Sequence, residues 1–261
     1  MLMPDADNKS TVQAVFGANA SMYTTSTVHA QGDSLARLLA LAAPTADDVV
    51  LDIATGAGHN ALSFAPHVRH AIGTDLTAQM LTEASALAQR RGIYNVTFCQ
   101  GDAEHLPFAS NSFAIVTCRI APHHFPDVAA AVCEMARVCH VGGCVAIADN
   151  ITPEDTAAAA YINAFDQLRD PSHNWAYPLS QWREFFQHAG LVLETEETLA
   201  KAMNFVAWTE RLGVEAEVVE ELRQLLFNAP ALPLAHLRPR VEDQEVYFDL
   251  IEGVFIARKV A

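Results

Sequence analysis

The sequence has few positive charges, few charges overall and no pattern of paired cysteines. Of its 261 residues, 18% are charged, and 16 Lys or Arg stand against 31 Asp or Glu, giving a net charge of −15. This excess of acid disfavours binding to nucleic-acid phosphates, which needs clustered Lys and Arg. The five cysteines are odd in number and contain no CxxC pair, so we expect free thiols in a reducing compartment, without a disulfide framework or zinc site.

Long hydrophobic segments are also missing. No apolar run reaches the roughly 18 residues of a membrane span, and residues 1–10 contain acids in place of the apolar stretch of a secretion signal. Hydrophobic residues nevertheless make up 51% of the chain, which is too apolar for intrinsic disorder. We therefore expect a cytoplasmic globular protein that acts on a small molecule, without stable membrane association. The mean hydropathy of +0.13 suggests a homodimer.

The central part of the chain alternates short apolar segments with helical ones. Helices are predicted at 77–90 and 128–138. The predicted strands lie at 48–53, 68–75, 96–101, 113–119 and 144–149. Strands that alternate with helices of this length predict βαβ units and a doubly wound, mostly parallel α/β sheet.

The segments on both sides of this core are mainly helical. Two helices are expected around a polar loop at 19–27, and a further helix precedes a proline-bounded loop that ends at 178. The remaining predicted elements are helices at 180–189 and 215–227 and strands at 191–196 and 246–259. We treat 1–261 as a single domain with three parts: an N-terminal helical lid at 1–45, a ligand-binding core at 46–150, and substrate-side helices and last strands at 151–261. Helices that merely pack on the sheet are the alternative to the lid.

A glycine-rich turn joins the first predicted strand to a helix. Gly56, Gly58 and Ala61 match the G-x-G-x-x-G/A pattern that lets a backbone turn tightly and approach a ligand. Asp75 ends the next strand, where a carboxylate can accept both hydroxyls of an adenosine ribose. Asp102 follows the third strand and can accept from an adenine amine. Together these residues predict an adenosine-containing ligand at the carboxyl ends of the strands.

Asp52, within the first strand, distinguishes between two such ligands. A carboxylate aimed at the glycine turn would repel the pyrophosphate of NAD(P), which prefers a positive helix N-terminus. The same carboxylate would attract the ammonium and sulfonium of S-adenosylmethionine (SAM). An acid that caps the helix or braces the loop is the alternative role for Asp52. SAM is favoured, and an NAD(P)-dependent oxidoreductase and a SAM-binding protein without methyl transfer remain competing hypotheses.

Four segments resemble, in order and spacing, the motifs of class I SAM-dependent methyltransferases, in particular the UbiE/YcgJ-like (methyltransferase type 11) branch. They are VVLDIATGAGHNALSFAP, AIGTDLTAQML, VTFCQGDAEHLPFASNSFAIVTCRIAPHHFPD and VGGCVAIAD. The resemblance implies a Rossmann-like, seven-stranded, mostly parallel sheet of order 3-2-1-4-5-7-6 with strand 7 antiparallel. It also implies transfer of a methyl group to carbon, oxygen or nitrogen of a small organic acceptor, with S-adenosylhomocysteine (SAH) as product.

The same resemblance implies which residues hold SAM. The glycine turn would hold the methionine part, Asp75 the ribose and Asp102 the adenine, while Tyr23 would close over the methionine carboxylate. Arg119 can instead anchor an anionic group of the acceptor or brace its loop, and no metal ion is expected. The full predicted cofactor set is Tyr23, Asp52, Ala54, Thr55, Gly56, Gly58, Asp75, Leu76, Asp102, Ala103 and Arg119.

Histidines supply the candidate general bases. His123 and His124 follow the fourth strand, in the segment that the fold turns towards the methyl group, and His173 lies in the proline-bounded loop. Methyl transfer is an in-line displacement, so alignment supplies much of the rate and a base matters where the acceptor must lose a proton. Adjacent residues point apart, so one of the pair is expected in the site, and we favour His123. Asp149 and Asn150 are expected to form a turn and helix cap in preference to a substrate contact.

Overall fold

The computed structural model describes residues 6–25 and 32–260, and its centre is a mixed sheet. Its strands are β1 (Val49–Ile53), β2 (His70–Asp75), β3 (Val96–Gln100), β4 (Phe113–Arg119), β5 (Cys139–Asn150), β6 (Leu191–Asn204), β7 (Arg240–Glu242) and β8 (Glu245–Lys259). The sheet order is β3-β2-β1-β4-β5-β8-β6, with β7 paired to β8. The first five strands are parallel, and β8 is antiparallel to its three neighbours. The predicted Rossmann-like order is confirmed, with β8 in the place of the predicted strand 7.

Helices cover both faces of this sheet. They are α1 (Ala6–Thr25), α2 (Asp33–Ala42), α3 (His59–Phe64), α4 (Ala78–Arg90), α5 (Val128–Val138), α6 (Thr156–Arg169), α7 (Leu179–His188), α8 (Phe205–Glu210), α9 (Ala216–Phe227) and α10 (Ala231–Leu237). Acidic N-caps begin two of the long ones: Asp127 accepts from the N–H of Ala130, and Asp155 from that of Ala158, both at 2.9 Å. Each cap satisfies a backbone donor that has no partner within its helix.

The central strands are apolar because both of their faces are buried. Val50, Leu51 and Val116 are completely inaccessible to solvent, as is typical of parallel strands with helices on both sides. One face packs against α5 and α7, and the other against α2 and α3. The sheet is therefore a rigid frame whose strand ends hold the loops in place.

The antiparallel pair β6 and β8 is much longer than the parallel strands. Its pairing runs from Leu191 opposite Lys259 to Asn204 opposite Tyr247. The far end of this pair packs with α6, α8, α9 and α10 around a separate apolar cluster that contains Phe165, Trp208 and Phe248. This cluster supports residues of the second half of the chain beside the carboxyl ends of the parallel strands.

Several local predictions need correction. The polar loop predicted at 19–27 is wrong as far as Thr25, because α1 continues to that residue; 26 and 27 lie outside the described residues. Asn19 donates to the carbonyl of Val15 at 2.8 Å, so its polar side chain is accommodated within the helix. Strand β5 begins five residues before the predicted 144, and β6 extends past 196. Within the described ranges, no helix has the length and apolarity needed to cross a membrane.

The core should be most sensitive at Trp182, whose ring lies 5.1 Å from that of Phe255 and whose indole N–H has no acceptor among the described residues. We expect Trp182→Ala to lower the free energy of unfolding by about 3–5 kcal/mol, from lost burial and the cavity left behind. Trp182→Phe should cost clearly less, because a ring remains and the unpaired N–H is removed. Urea unfolding measures both; Tyr94→Ala, at a residue 85% exposed, is the control. Equal losses for the two Trp182 variants would contradict this account.

Candidate functional site

A cavity opens at the carboxyl ends of β1, β2, β3 and β4, the edge at which open parallel sheets bind ligands. Thirteen of the fourteen residues predicted for the site line it. They are Tyr23, Asp52, Ala54, Thr55, Gly56, Asp75, Leu76, Asp102, Ala103, Arg119, His123, His124 and His173. We call the part formed by lining residues from 52 to 126 the sheet wall.

The two glycines of the glycine turn have different roles. Both have positive φ, 53° at Gly56 and 86° at Gly58, which suits glycine. A Cβ added to Gly56 would meet nothing within 4 Å, so this residue faces open space where a ligand can approach the backbone. A Cβ at Gly58 would lie 2.9 Å from that of Ala84. Gly58 does not line the cavity, and the structure gives it a packing role against α4.

Asp52 is buried beneath the turn and holds it in place. Its carboxylate accepts from the hydroxyl of Thr55 at 2.5 Å, the amide of Asn60 at 2.6 Å and the N–H of Ala61 at 3.0 Å. Burial raises the pKa of Asp52 to about 6, against the opposing effect of these donors. The bracing role considered from the sequence is therefore present, in a residue that also lines the cavity. The N–H of Ala61, in the first turn of α3, donates to this internal acid. This helix N-terminus therefore already has an anionic partner and does not require a ligand phosphate.

Asp75 joins the turn to the end of β2. One carboxylate oxygen accepts from the N–H of Gly56 at 2.9 Å and the other from the N–H of Thr77 at 2.8 Å. Burial raises the pKa of Asp75, and the two backbone donors oppose that rise. Each oxygen keeps a further lone pair for a hydroxyl of a ligand.

Asp102 lies at the next strand end and is bound by α1. The ammonium of Lys9 lies 2.6 Å from both Asp102 and Glu104. Burial raises the pKa of Asp102, but the bond and charge of Lys9, the N–H of Glu104 and the charge of His105 together lower it below the ordinary value. His105 completes a group of three potential metal ligands here, but the ammonium already provides the positive charge between the two acids.

One face of α1 covers this end of the cavity. Lys9, Val12, Phe16 and Tyr23 all line it, at spacings that place them on one side of a helix. Gln13 donates to the carbonyl of Leu76 at 3.0 Å. The N-terminal helix is thus attached to the sheet wall by polar contacts at the cavity rim.

Arg119 and Ile120 shape the end of β4. Arg119 is 9% exposed and donates from Nε to the hydroxyl of Ser34 at 2.9 Å. Burial lowers the pKa of its guanidinium, while Glu252 and Asp52 oppose this effect. Ile120 has φ of 52°, a left-handed conformation that is a genuine outlier for a β-branched residue. This strained turn directs the chain into the short 3₁₀ segment Pro122–His124, and no sequence signal predicts it.

His123 is oriented by Asp149, at the neighbouring strand end. Its Nδ1 lies 2.6 Å from one carboxylate oxygen, and its backbone N–H donates to the other at 2.8 Å. Nδ1 must carry the proton in this contact, so Nε2 is the nitrogen with a free lone pair. Burial lowers the pKa of His123, but Asp149, together with the charges of Asp166 and Asp170, raises it, and the net pKa lies above the ordinary value.

Asp149 and Asn150 do not form the expected turn and helix cap. Both belong to β5 and pair with β8, opposite Gly253 and Glu252. Asp149 instead holds His123, and Asn150 lines the cavity. The prediction was wrong because the strand continues to Asn150 by pairing with a segment about a hundred residues away.

His124 also lines the cavity, so the expectation that one of the adjacent pair would lie in the site was wrong. Its environment differs from that of His123. Its ring lies 4.1 Å from that of His123, centroid to centroid. Nδ1 donates to the carbonyl of Ser172 at 3.0 Å. Burial and then the charge of His123 lower the pKa of His124 to about 4, so this ring is neutral at physiological pH.

His173 completes the group of three imidazoles. Its Nε2 lies 2.8 Å from Oδ1 of Asn163. Asn163 also accepts from the N–H of Ala176 and donates to the carbonyl of Ala159, which fixes its amide orientation. Nε2 of His173 is therefore the donor, and burial followed by the charge of His123 lowers its pKa well below the ordinary value.

A second wall comes from the later part of the chain, where the sequence predicted substrate-side helices but His173 was the one residue named for the site. Its further residues, which we call the cap wall, are Asp166, Arg169, Asp170, Lys201, Met203, Trp208, Arg211 and Leu250. Two of its cations are engaged within the protein. Arg169 donates twice to the carbonyl of Trp208, at 3.1 and 2.8 Å, and Lys201 lies 2.9 Å from Glu252.

Comparisons with known proteins agree with this geometry. Residues 50–143 match the family model described as a methyltransferase domain. The uncharacterised methyltransferase YcgJ of Bacillus subtilis is 41% identical over 207 residues, which are 79% of this chain and 82% of that protein. The C-methyltransferase UbiE of ubiquinone and menaquinone biosynthesis from Bdellovibrio bacteriovorus is 37% identical over 113 residues, covering 42% of this chain and 48% of UbiE.

Solved structures extend the likeness to nearly the whole chain. The crystal structure of YcgJ from Bacillus subtilis superposes with a TM-score of 0.83 at 36% identity, covering 87% of this chain and 98% of that one. A protein of Bacillus halodurans, solved as a candidate methyltransferase, also gives a TM-score of 0.83, at 38% identity, covering 88% and 100% of the two chains.

The unequal environments of the three histidines predict distinct titrations. His123 should titrate above 6.5, the ordinary value, whereas His124 should stay neutral down to about pH 4. Asp149→Asn should lower the pKa of His123, because it removes the charge that stabilises the imidazolium. NMR of labelled histidine, assigned with single His variants, measures these values, and Asp47→Asn on the surface is the control. A pKa of His123 below that of His124 would contradict the assignment.

Proposed function

The chain belongs to the class I SAM-dependent methyltransferases, and we propose that it transfers a methyl group from SAM to a carbon, oxygen or nitrogen atom of a small organic acceptor. The observation that carries this proposal is the meeting of Gly56, Asp75 and Asp102 at one cavity, beside a histidine oriented by Asp149. Gly56, Asp75 and Asp102 suit an adenosyl ligand. The oriented histidine suits an acceptor that loses a proton.

The residues of the sheet wall fit SAM. The open space over Gly56 admits the methionine part beside the turn, and the free lone pairs of Asp75 suit ribose hydroxyls. Leu76 and Ala103 offer apolar surface near Asp102 for the adenine. When bound, SAM supplies a methyl group on a positively charged sulfur. Asp52 contributes negative charge behind the turn, which favours that cation over a pyrophosphate.

The protein's own contribution to the reaction is alignment and proton acceptance. The α1 face and the cap wall enclose the cavity, so the acceptor can be held in line and away from water. His123 offers the lone pair of Nε2, while Asp149 holds its Nδ1 proton and stabilises the imidazolium that forms. His124, with its low pKa, is the weaker base, and His173 has its Nε2 proton committed to Asn163.

Cofactor binding can be tested without knowing the acceptor. We expect SAM and SAH to bind in calorimetry and NADH not to bind. Asp75→Ala should weaken both adenosyl ligands at least tenfold, about 1.4 kcal/mol, because it removes the carboxylate that holds Gly56 and faces the ribose. Asp47→Ala, at an exposed acid outside the cavity, should leave both affinities unchanged. Binding of NADH in place of SAH would refute the proposal.

The base assignment requires an acceptor from a panel of phenols, amines and quinols, with SAH release as the assay. His123→Ala should lower kcat by roughly 10²–10⁴-fold and leave SAH affinity within twofold, while His124→Ala should have a smaller effect. In the wild type, kcat should rise with pH above 6.5, because the raised pKa of His123 keeps it protonated below that point.

Asp149→Asn should move this rise in kcat to lower pH. A kcat that is flat from pH 5 to 8 would point to His124, whose pKa is about 4. No loss of kcat in either histidine variant would show that the reaction needs no histidine base.

A further inference from the structure

Asp166 is a nearly buried acid whose carboxylate has no hydrogen-bond or ion-pair partner within the described part of the chain. It lies on α6, is 7% exposed and lines the cavity. No side chain or backbone group among the described residues donates a hydrogen bond to its carboxylate, and no ion pair with it is found there. A buried carboxylate without donors costs folding free energy, so it calls for a partner from outside the protein.

Three neighbouring charged residues of the cap wall have partners within the protein. Asp170, one turn further along the chain, accepts from the hydroxyl and N–H of Ser172 at 2.5 and 2.9 Å and lies 3.9 Å from Arg169. Lys201 is paired with Glu252 at 2.9 Å. Asp166 therefore differs from Asp170 although the two acids have similar burial and lie on the same wall.

Asp166 and His123 line the same cavity, and the charge of each acts on the other. The negative charge of Asp166 raises the pKa of His123, and the positive charge of His123 lowers that of Asp166 against the stronger effect of burial. The other charges that act on Asp166 are Arg169, Asp170 and Asp149. Asp166 and His123 both line the cavity and make no hydrogen bond with each other, so both are available to a polar group bound in it.

Resting on the proposed methyl transfer, we propose that Asp166 binds the acceptor through an N–H or O–H group and so selects acceptors that carry a hydrogen-bond donor beside the methylated atom. A donor from the acceptor replaces the hydration that the carboxylate loses on folding. His123, on the sheet wall, lines the same cavity. The cavity then favours protic acceptors, amines and hydroxyl compounds, over purely apolar ones.

Sinefungin, the SAM analogue with an amine-bearing carbon in place of the methylsulfonium, probes this position without an identified acceptor. Its ammonium is a donor at the point from which the methyl group leaves. By calorimetry at pH 7.5, wild-type protein should bind sinefungin more tightly than SAH. Asp166→Asn should weaken sinefungin about tenfold, the loss expected for one charge-assisted hydrogen bond in a buried site, and leave SAH within twofold.

Two control variants separate this role from a general charge effect. Glu184→Gln removes an exposed acid of α7 outside the cavity and should change neither affinity. Asp170→Asn removes an acid that is already paired, so it should lower the melting temperature. Asp166→Asn should keep or raise the melting temperature. Burial places the folded-state pKa of Asp166 at about 6, above its unfolded value, so its ionised form destabilises the native state at pH 7.5.

The outcomes are distinct. A loss confined to sinefungin, with an unchanged or higher melting temperature, supports the role of Asp166. An unchanged ratio of the two affinities, or a lower melting temperature with equal loss of both ligands, overturns it while the methyltransferase proposal stands. Failure of wild-type protein to bind either SAH or sinefungin overturns the proposed function itself.

Discussion

The cavity depends first on one buried carboxylate, that of Asp52. An acid removed from water is tolerated only where donors replace its hydration, and Asp52 has the side chains of Thr55 and Asn60 and a backbone N–H at the start of α3. These bonds fix the turn that follows β1. The fixed turn leaves Gly56 open to the cavity and directs its N–H to Asp75 at 2.9 Å. The first two strand ends are therefore positioned as a unit, and the ligand-facing surface follows from that unit.

The two walls of the cavity balance their charges differently. On the sheet wall, Asp75 is held by backbone N–H groups and Asp102 by Lys9, so each acid has protein donors before any ligand arrives. The cap wall pairs Arg169 with Asp170 and leaves Asp166 without a donor among the described residues. Acids that protein donors hold in this way are rigid and prepared for one constant ligand. A carboxylate without donors on the facing wall lowers the stability of the ligand-free protein. A bound molecule that donates a hydrogen bond to this carboxylate offsets that cost.

Local sequence pattern predicted the sheet wall because that wall is built locally. Alternating apolar strands, a glycine turn and acids at successive strand ends lie within about sixty residues, and each is specified by residue type and spacing. Prediction failed where distant pairing decides the structure. Asp149 and Asn150 resemble a turn by composition, yet β8 pairs with both and keeps them in a strand. The polar residues 19–25 resemble a loop by composition, yet they form the last turns of α1. One face of this helix covers the cavity.

The cap wall left only an ambiguous trace in the sequence. Ile162, Phe165, Asp166 and Arg169 follow helical spacing, so the pattern places two charges next to an apolar stripe. Such charged residues either find a partner inside the core or face a cavity. Which of the two occurs depends on residues distant in the sequence that pack against the helix. Arg169 donates to the carbonyl of Trp208, some forty residues on, whereas the carboxylate of Asp166 has no donor among the residues that the structure describes. Two residues with the same signal in the sequence thus differ in role through long-range packing alone. The cap wall, to which we assign the acceptor, is for this reason the part of the site that sequence pattern specifies least.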